Sequence, residues 1–302
     1  MLPTSYVKTR KFRLPALLFA LVVSFSLFAP STSRAGAWAQ EDKGLYAKIS
    51  VARSTAKEQY KETGETFQLL SEDEKGSFSS WGMLMYGEFG LLPKLTVTMS
   101  TSILSGVIES DLVRIRTTGM TDFRTGLRFQ FLDKPLVMSV ATNLTVPTGY
   151  TPDPPTAKTP TLGLGVPMYE GSLLVGKSFY PVPVYVSVQG GFRARGSRLS
   201  RGGEEVDYPP EIPYFAEIGV SPLDWLLIRG VLNGVHGLGD PLALDAFSLS
   251  PTTQSYMKAG PSAIVTIKDH FQLNFDYLYT VTGINSVKSH DFTIGFAVDY
   301  SL

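Results

Sequence analysis

Residues 271–281 read FQLNFDYLYTV, and the two kinds of side chain alternate strictly. Phe271, Leu273, Phe275, Tyr277, Tyr279 and Val281 fall on one side of an extended chain, and Gln272, Asn274, Asp276 and Thr280 on the other. A period of two belongs to a β-strand with one apolar and one polar face; a helix cannot present it. The chain end repeats the pattern, with Phe292, Ile294, Phe296, Val298, Tyr300 and Leu302 opposite Asp291, Thr293, Gly295, Asp299 and Ser301. Residues 95–103, 122–131, 136–146 and 182–195 alternate in the same way, whereas 169–180 is ambiguous because Leu173 and Leu174 occupy both faces. Candidate strands fall at 44–54, 77–90, 95–104, 119–132, 135–147, 167–180, 183–196, 211–221, 224–236, 254–267, 270–282 and 288–302. No stretch after the N-terminal region has the 18 consecutive apolar residues of a membrane helix.

Alternation alone also suits a soluble sandwich, so the connections decide. Leu91-Leu92-Pro93-Lys94, Asp133-Lys134, Pro181-Val182, Pro222-Leu223 and Lys268-Asp269 are very short turns. Between them lie long polar links at 55–76, 105–118, 148–166, 197–210 and 237–253, and a shorter one at 283–287. Short and long links in alternation are the pattern of a transmembrane antiparallel up-and-down β-barrel with periplasmic turns and outer loops. The expected fold is therefore all-β, with about 12 strands by this architecture's rules. Trp81, Phe89, Trp225, Phe271, Tyr279, Phe292 and Tyr300 fall near strand ends, where interfacial girdles lie. Thr293-Ile294-Gly295-Phe296-Ala297-Val298-Asp299-Tyr300 resembles the terminal strand signal read by the outer-membrane assembly machinery.

The first residues have another task. Lys8, Arg10, Lys11 and Arg13 precede the apolar run Leu14–Phe28, and Ala35-Gly36-Ala37 has the small residues of a peptidase site. This is the layout of a secretory signal peptide, 1–37, cleaved after Ala37. The barrel domain is then 38–302, and the expected location is the outer membrane. Removal takes away Lys8, Arg10, Lys11, Arg13 and Arg34 and no acid from a chain holding 27 basic and 27 acidic residues, so the remainder is acidic. Nucleic acid is thereby excluded as the main partner. With Cys at 0, thiol nucleophiles, disulfides and thiolate metal sites are excluded too, and no cofactor is expected.

A barrel's polar faces point inward, which places Glu88, Arg124, Arg128, Glu217, Arg229, Lys258 and Asp276 in the lumen. Mixed charges there fit either a packed ion-pair interior or a channel with a charged constriction. Arg193, Arg195, Arg198 and Arg201 run from a strand end into its outer loop. They suit contacts to an anion or to lipopolysaccharide phosphates, or a solvated loop offset by Glu204, Glu205 and Asp207. The 148–166 loop can extend outward or fold in as a constriction, and 237–250 is apolar enough to cover the mouth. An enzyme is not expected: the residues two after His236, His270 and His290 are Leu238, Gln272 and Phe292, so no His-x-Ser pair exists, and there is no Gly-x-Ser-x-Gly. His290 beside Asp291 reads as a solvated loop pair.

The order Gly119-Met120-Thr121-Asp122-Phe123-Arg124-Thr125-Gly126-Leu127-Arg128-Phe129, Pro135-Leu136 and Leu144-Thr145-Val146-Pro147-Thr148-Gly149 resembles the outer-membrane transporter family named for the phenol meta-cleavage degradation pathway. That family enters a strand with Gly-x-Gly-Asp, where this chain has Thr121 at the second glycine. The resemblance implies passive uptake of small solutes, hydrophobic or aromatic compounds among them, and carries over no functional residues. A barrel without transport, serving structure or adhesion, is the alternative, and a soluble secreted β-protein the third. After residue 37 the chain reaches its first strand within about seven residues, which leaves no room for a plug domain. The expected partners are outer-membrane lipids, lipopolysaccharide, the assembly machinery and a small solute.

Overall fold

A computed structural model describes residues 36–69, 76–152, 159–200, 203–240, 252–268 and 270–300. Twelve strands form the wall: β1 (Leu45–Tyr60), β2 (Ser77–Leu92), β3 (Leu95–Glu109), β4 (Arg114–Met120, resuming as Phe123–Leu132), β5 (Val137–Val146), β6 (Met168–Ser178), β7 (Val184–Arg195), β8 (Glu211–Leu223), β9 (Leu226–Gly237), β10 (Ser255–Ile267), β11 (Phe271–Ile284) and β12 (Ser286–Tyr300). Each pairs antiparallel with its sequence neighbour, and β12 pairs with β1 from Leu45↔Tyr300 to Tyr60↔Ser286, which closes the barrel. Closure leaves no strand edge with unpaired N–H and C=O groups, the condition for crossing hydrocarbon as a sheet.

The pleat then sorts side chains by face. Ile49, Trp81, Phe292 and Ile294 are more than half exposed on the outside, while Ser50, Thr96, Ser139 and Asn274 are buried within. A soluble protein has the reverse polarity; here the apolar face meets lipid and the polar face is the interior. The ambiguous pair resolves accordingly, with Leu173 exposed outside and Leu174 buried inside.

The outer links differ from expectation. β3 continues to Glu109 and β4 begins at Arg114, in register Glu109↔Arg114 and Val107↔Arg116, so most of 105–118 is hairpin. A single residue, Asn285, separates β11 from β12, and its φ of +48° lies in the left-handed region that Asn tolerates. Thr66–Gln68 folds back on β1, and Ser197–Leu199 pairs with Glu205–Asp207. In the 105–118 hairpin the face pattern changes: outward Arg116 and Thr118 are polar, while Ile108 pairs with Ile115 on the inward face. The alternation disappears from the sequence there while backbone pairing goes on.

Candidate functional site

The interior is built from ion pairs that tie neighbouring strands together. Arg128 on β4 pairs with Glu88 on β2, reaching across β3, and both side chains are under 10% exposed. The Tyr86 hydroxyl donates to the same carboxylate. On the far wall, Arg229 Nη1 lies 3.1 Å from Glu217 and Nη2 3.4 Å from Asp276, with Lys48 3.7 Å from Asp276 across the β12–β1 seam. Ser262 accepts from Arg229 at 2.7 Å and donates to Asp276 at 2.6 Å. Lys258 pairs with Asp291 and donates to Ser289 at 3.0 Å.

A third cluster runs around β4, β6, β7 and β8. Glu170 accepts from Arg124 and from Arg193, each at 2.8 Å, and Glu211 pairs with Arg193 at 3.0 Å and Arg195 at 2.7 Å. Arg193 and Arg195 therefore do not reach the outer leaflet. Their positions alternate onto the inward face of β7, and the buried carboxylates of Glu170 and Glu211 hold them there; the Arg195 side chain is 0% exposed. Arg198 turns to the Leu164 carbonyl at 3.0 Å, and Arg201 lies outside the described residues.

The N-terminal segment enters the barrel. From Leu45 it runs inside the periplasmic end: Gln40 N–H donates to Thr96 at 2.8 Å, Ala39 N–H to Gln130 at 2.7 Å, and Ser139 donates to the Ala37 carbonyl. The Trp38 ring meets Tyr185 edge-on at 5.9 Å and covers Gly176. The path crosses from β1 to β7. Ala37, where cleavage is expected, is fully buried among Val137, Leu174 and Trp38. The Gly90 carbonyl accepts from Lys43 and its N–H donates to Gly44, and a Cβ at Gly90 would sit 1.7 Å from the Glu41 carbonyl oxygen, so only glycine permits this approach. Residues 38–44 lie against the inner wall and narrow the lumen at this end.

The outer mouth is narrowed from above. Within the 148–166 loop, residues 159–166 fold inward, with Pro160 over Gly106 and Leu162 over Gly119. A cavity of about 140 Å³ remains between Phe78, Leu104, Pro160, Leu162 and Val287, which joins β2 and β3 to β12 across the mouth. The fold is pinned at its base: the Tyr150 hydroxyl donates to Asp122 and accepts from Gly165 N–H at 3.0 Å, and Thr148 donates to the Thr121 carbonyl at 2.9 Å. Asp122, in the interruption of β4, thus receives a phenol from this loop. Burial pushes the Tyr150 phenol well above its usual range, so it stays protonated as the donor. Leu162→Ser, which weakens the packing on Gly119, is expected to raise single-channel conductance while heat-modifiable gel mobility stays native; unchanged conductance would show that this loop does not limit the pathway. Of the apolar 237–250 stretch, residues 241–250 lie outside the described residues.

A fold of this shape is found elsewhere. The COG4313 outer membrane channel from Pseudomonas putida F1 superposes with a TM-score of 0.70 at 13% identity, covering 89% of this chain and 100% of that one. This chain has the fold of an outer-membrane channel. The NanC porin (TM-score 0.48, 7% identity, 84% of this chain and 100% of that one) and the translocator domain of autotransporter NalP from Neisseria meningitidis (0.47, 11%, 95% and 96%) superpose less well. No family model and no curated protein matches the chain.

Sequence reading placed both partners of Arg128–Glu88, Arg229–Glu217 and Arg229–Asp276 inside, and missed the carboxylates Glu170 and Glu211 that hold Arg124, Arg193 and Arg195. Glu170 lay in the ambiguous 169–180 stretch, and Glu211 follows Pro209-Pro210 at a strand's first residue. His290 and Asp291 are consecutive strand residues and face opposite sides: Asp291 pairs inward with Lys258, while His290 Nδ1 meets the Tyr277 hydroxyl at 2.8 Å outside. The fold also sets Ser255 Oγ 3.5 Å from His236 Nδ1 across the β9–β10 edge. That serine accepts from Gly237 N–H at 3.0 Å, and no described carboxylate orients the imidazole, so the pair lacks the geometry of an activated nucleophile.

Proposed function

We propose that the chain is an outer-membrane channel for passive uptake of small uncharged solutes, hydrophobic or aromatic compounds among them. This is the role implied by its resemblance to the transporter family named for phenol meta-cleavage. One observation carries the reading: the interior charges are matched. Lys48, Arg124, Arg128, Arg193, Arg195, Arg229 and Lys258 each have a carboxylate partner. Paired charges cancel at short range and leave little field along the path to select an ion. Between the pairs, Leu84 and Tyr86 face the interior and remain over a third exposed, and Tyr46 and Tyr86 stack edge-on at 6.2 Å. Such a lining suits an apolar or aromatic solute.

The same proposal includes export by residues 1–37 with cleavage after Ala37, and assembly through β12. Lipids and lipopolysaccharide are the expected surroundings. The test compares a neutral aromatic with a charged one of similar size, entering liposomes that hold the folded protein, alongside planar-bilayer conductance. Faster entry of the neutral compound with small, weakly ion-selective conductance steps is expected; equal rates for both compounds would sink the proposal. The narrowing at both ends favours the second reading, a barrel without transport, which predicts no protein-dependent entry of either compound.

A further inference from the structure

The outward face of the outer rim carries a feature that transport does not use. Register places Phe292, Arg53, Trp81, Ser105 and Thr118 in one row across β12, β1, β2, β3 and β4, and His290, Thr55, Ser79, Val107 and Arg116 in the row above. All are outward positions. Arg53 stands eight residues up β1 from Leu45. That is about 27 Å of strand and, at a tilt near 40°, about 20 Å of height, close to the top of an apolar band about 25 Å tall. Arg53 and Arg116 therefore sit where hydrocarbon gives way to headgroups.

Two cationic poles stand there. At the first, a cavity of about 610 Å³ is lined by Arg53, Lys57, Lys288, His290, Gln68 and Tyr279, with Glu58 the one carboxylate among its described lining residues. Glu58 is engaged by Lys288 at 2.7 Å, and no described carboxylate lies within ion-pair distance of Arg53 or Lys57. The Arg53 guanidinium lies 5.2 Å from the Trp81 ring centroid, so one face is stacked and its N–H edges stay open to an acceptor. At the second pole, Arg116 is exposed and its Nε donates to Ser105 at 2.9 Å, leaving the terminal N–H groups available. Three strand spacings, about 14 Å, separate β1 from β4. Below both poles the wall is apolar, with Val51, Met83 and Ile103 exposed to lipid.

We infer that this face binds a bis-phosphorylated glycolipid of the outer leaflet, the lipid A headgroup. One phosphate is taken by Arg53 and Lys57 with His290, the other by Arg116, and the acyl chains lie on the apolar wall beneath. Two phosphates at opposite ends of a disaccharide match two separated cationic poles, and guanidinium groups bind phosphate through paired N–H bonds. A phospholipid has one phosphate and can satisfy only one pole. This placement moves the anion contact from the β7 arginines to the opposite side of the barrel.

The test titrates folded protein in neutral detergent with bis-phosphoryl lipid A, monophosphoryl lipid A and phosphatidylglycerol, with native mass spectrometry as readout. Wild type is expected to bind the bis-phosphoryl form about tenfold more tightly than either other lipid, the scale of one lost charge-assisted contact. Arg53→Gln and Arg116→Gln should each abolish that preference, and the double variant should bind all three lipids alike. Lys94→Gln, at a periplasmic turn, should change nothing. Equal binding of all three lipids by wild type overturns the inference without any variant. So does a double variant that keeps the preference, or a Lys94→Gln variant that loses it.

Discussion

Arg128→Ala is expected to lower the unfolding free energy of the barrel by about 3–5 kcal/mol, the cost of stranding one member of a buried ion pair. Glu88 would be left with only the Tyr86 hydroxyl, at a position where both charged side chains are under 10% exposed. The pair also reaches across β3, so its loss releases a tie between β2 and β4. Urea unfolding in detergent, followed by tryptophan fluorescence, would show a lower midpoint. The double variant Arg128→Met with Glu88→Gln removes both charges and should recover most of the loss, because what destabilises is the unpaired carboxylate. If the single and double variants unfold at the same midpoint, the interior at this level is wet enough to solvate a lone carboxylate, and the pair does not hold the wall.

Gly90→Leu is expected to increase conductance several-fold. A side chain there collides with the backbone of Glu41, since a Cβ alone would lie 1.7 Å from its carbonyl oxygen. Backbone cannot step aside as a flexible side-chain end can, so residues 38–44 must lift from the wall. The hydrogen bonds of Ala39 to Gln130 and Gln40 to Thr96 and Asp299 would go with them. Three such bonds are worth about 3 kcal/mol. Deletion of residues 39–42 should reproduce the conductance without the steric clash. Conductance unchanged in both variants would mean that the narrowest point lies elsewhere, with the folded-in loop at 159–166 the next position to open.

Both expectations depend on features of unequal legibility in the sequence. Arg128 alternates with Leu127 and Phe129, so its inward direction can be read locally. Its partner cannot, because Glu88 lies 40 residues away and meets it only through a shared neighbour strand. Arg193 and Arg195 show the opposite failure. Their run with Arg198 and Arg201 from a strand end into its outer loop suggested one set of outer anion contacts, but Arg193 and Arg195 point inward onto carboxylates. Charge density along the chain carries no information about face once a strand outlasts its apolar partner residues.

The barrel itself was in the sequence. Period-two alternation fixes which side of a strand is apolar, and the alternation of short and long links fixes how successive strands pair. Both are local properties, set by backbone pleat and turn length. The tertiary structure alone decided what fills the interior: the crossing of residues 38–44 from β1 to β7, the entry of 159–166 at the mouth, and the choice of partner for each interior charge. Those contacts join residues that become neighbours only when β12 meets β1 in one register, and no local stretch of chain encodes that closure.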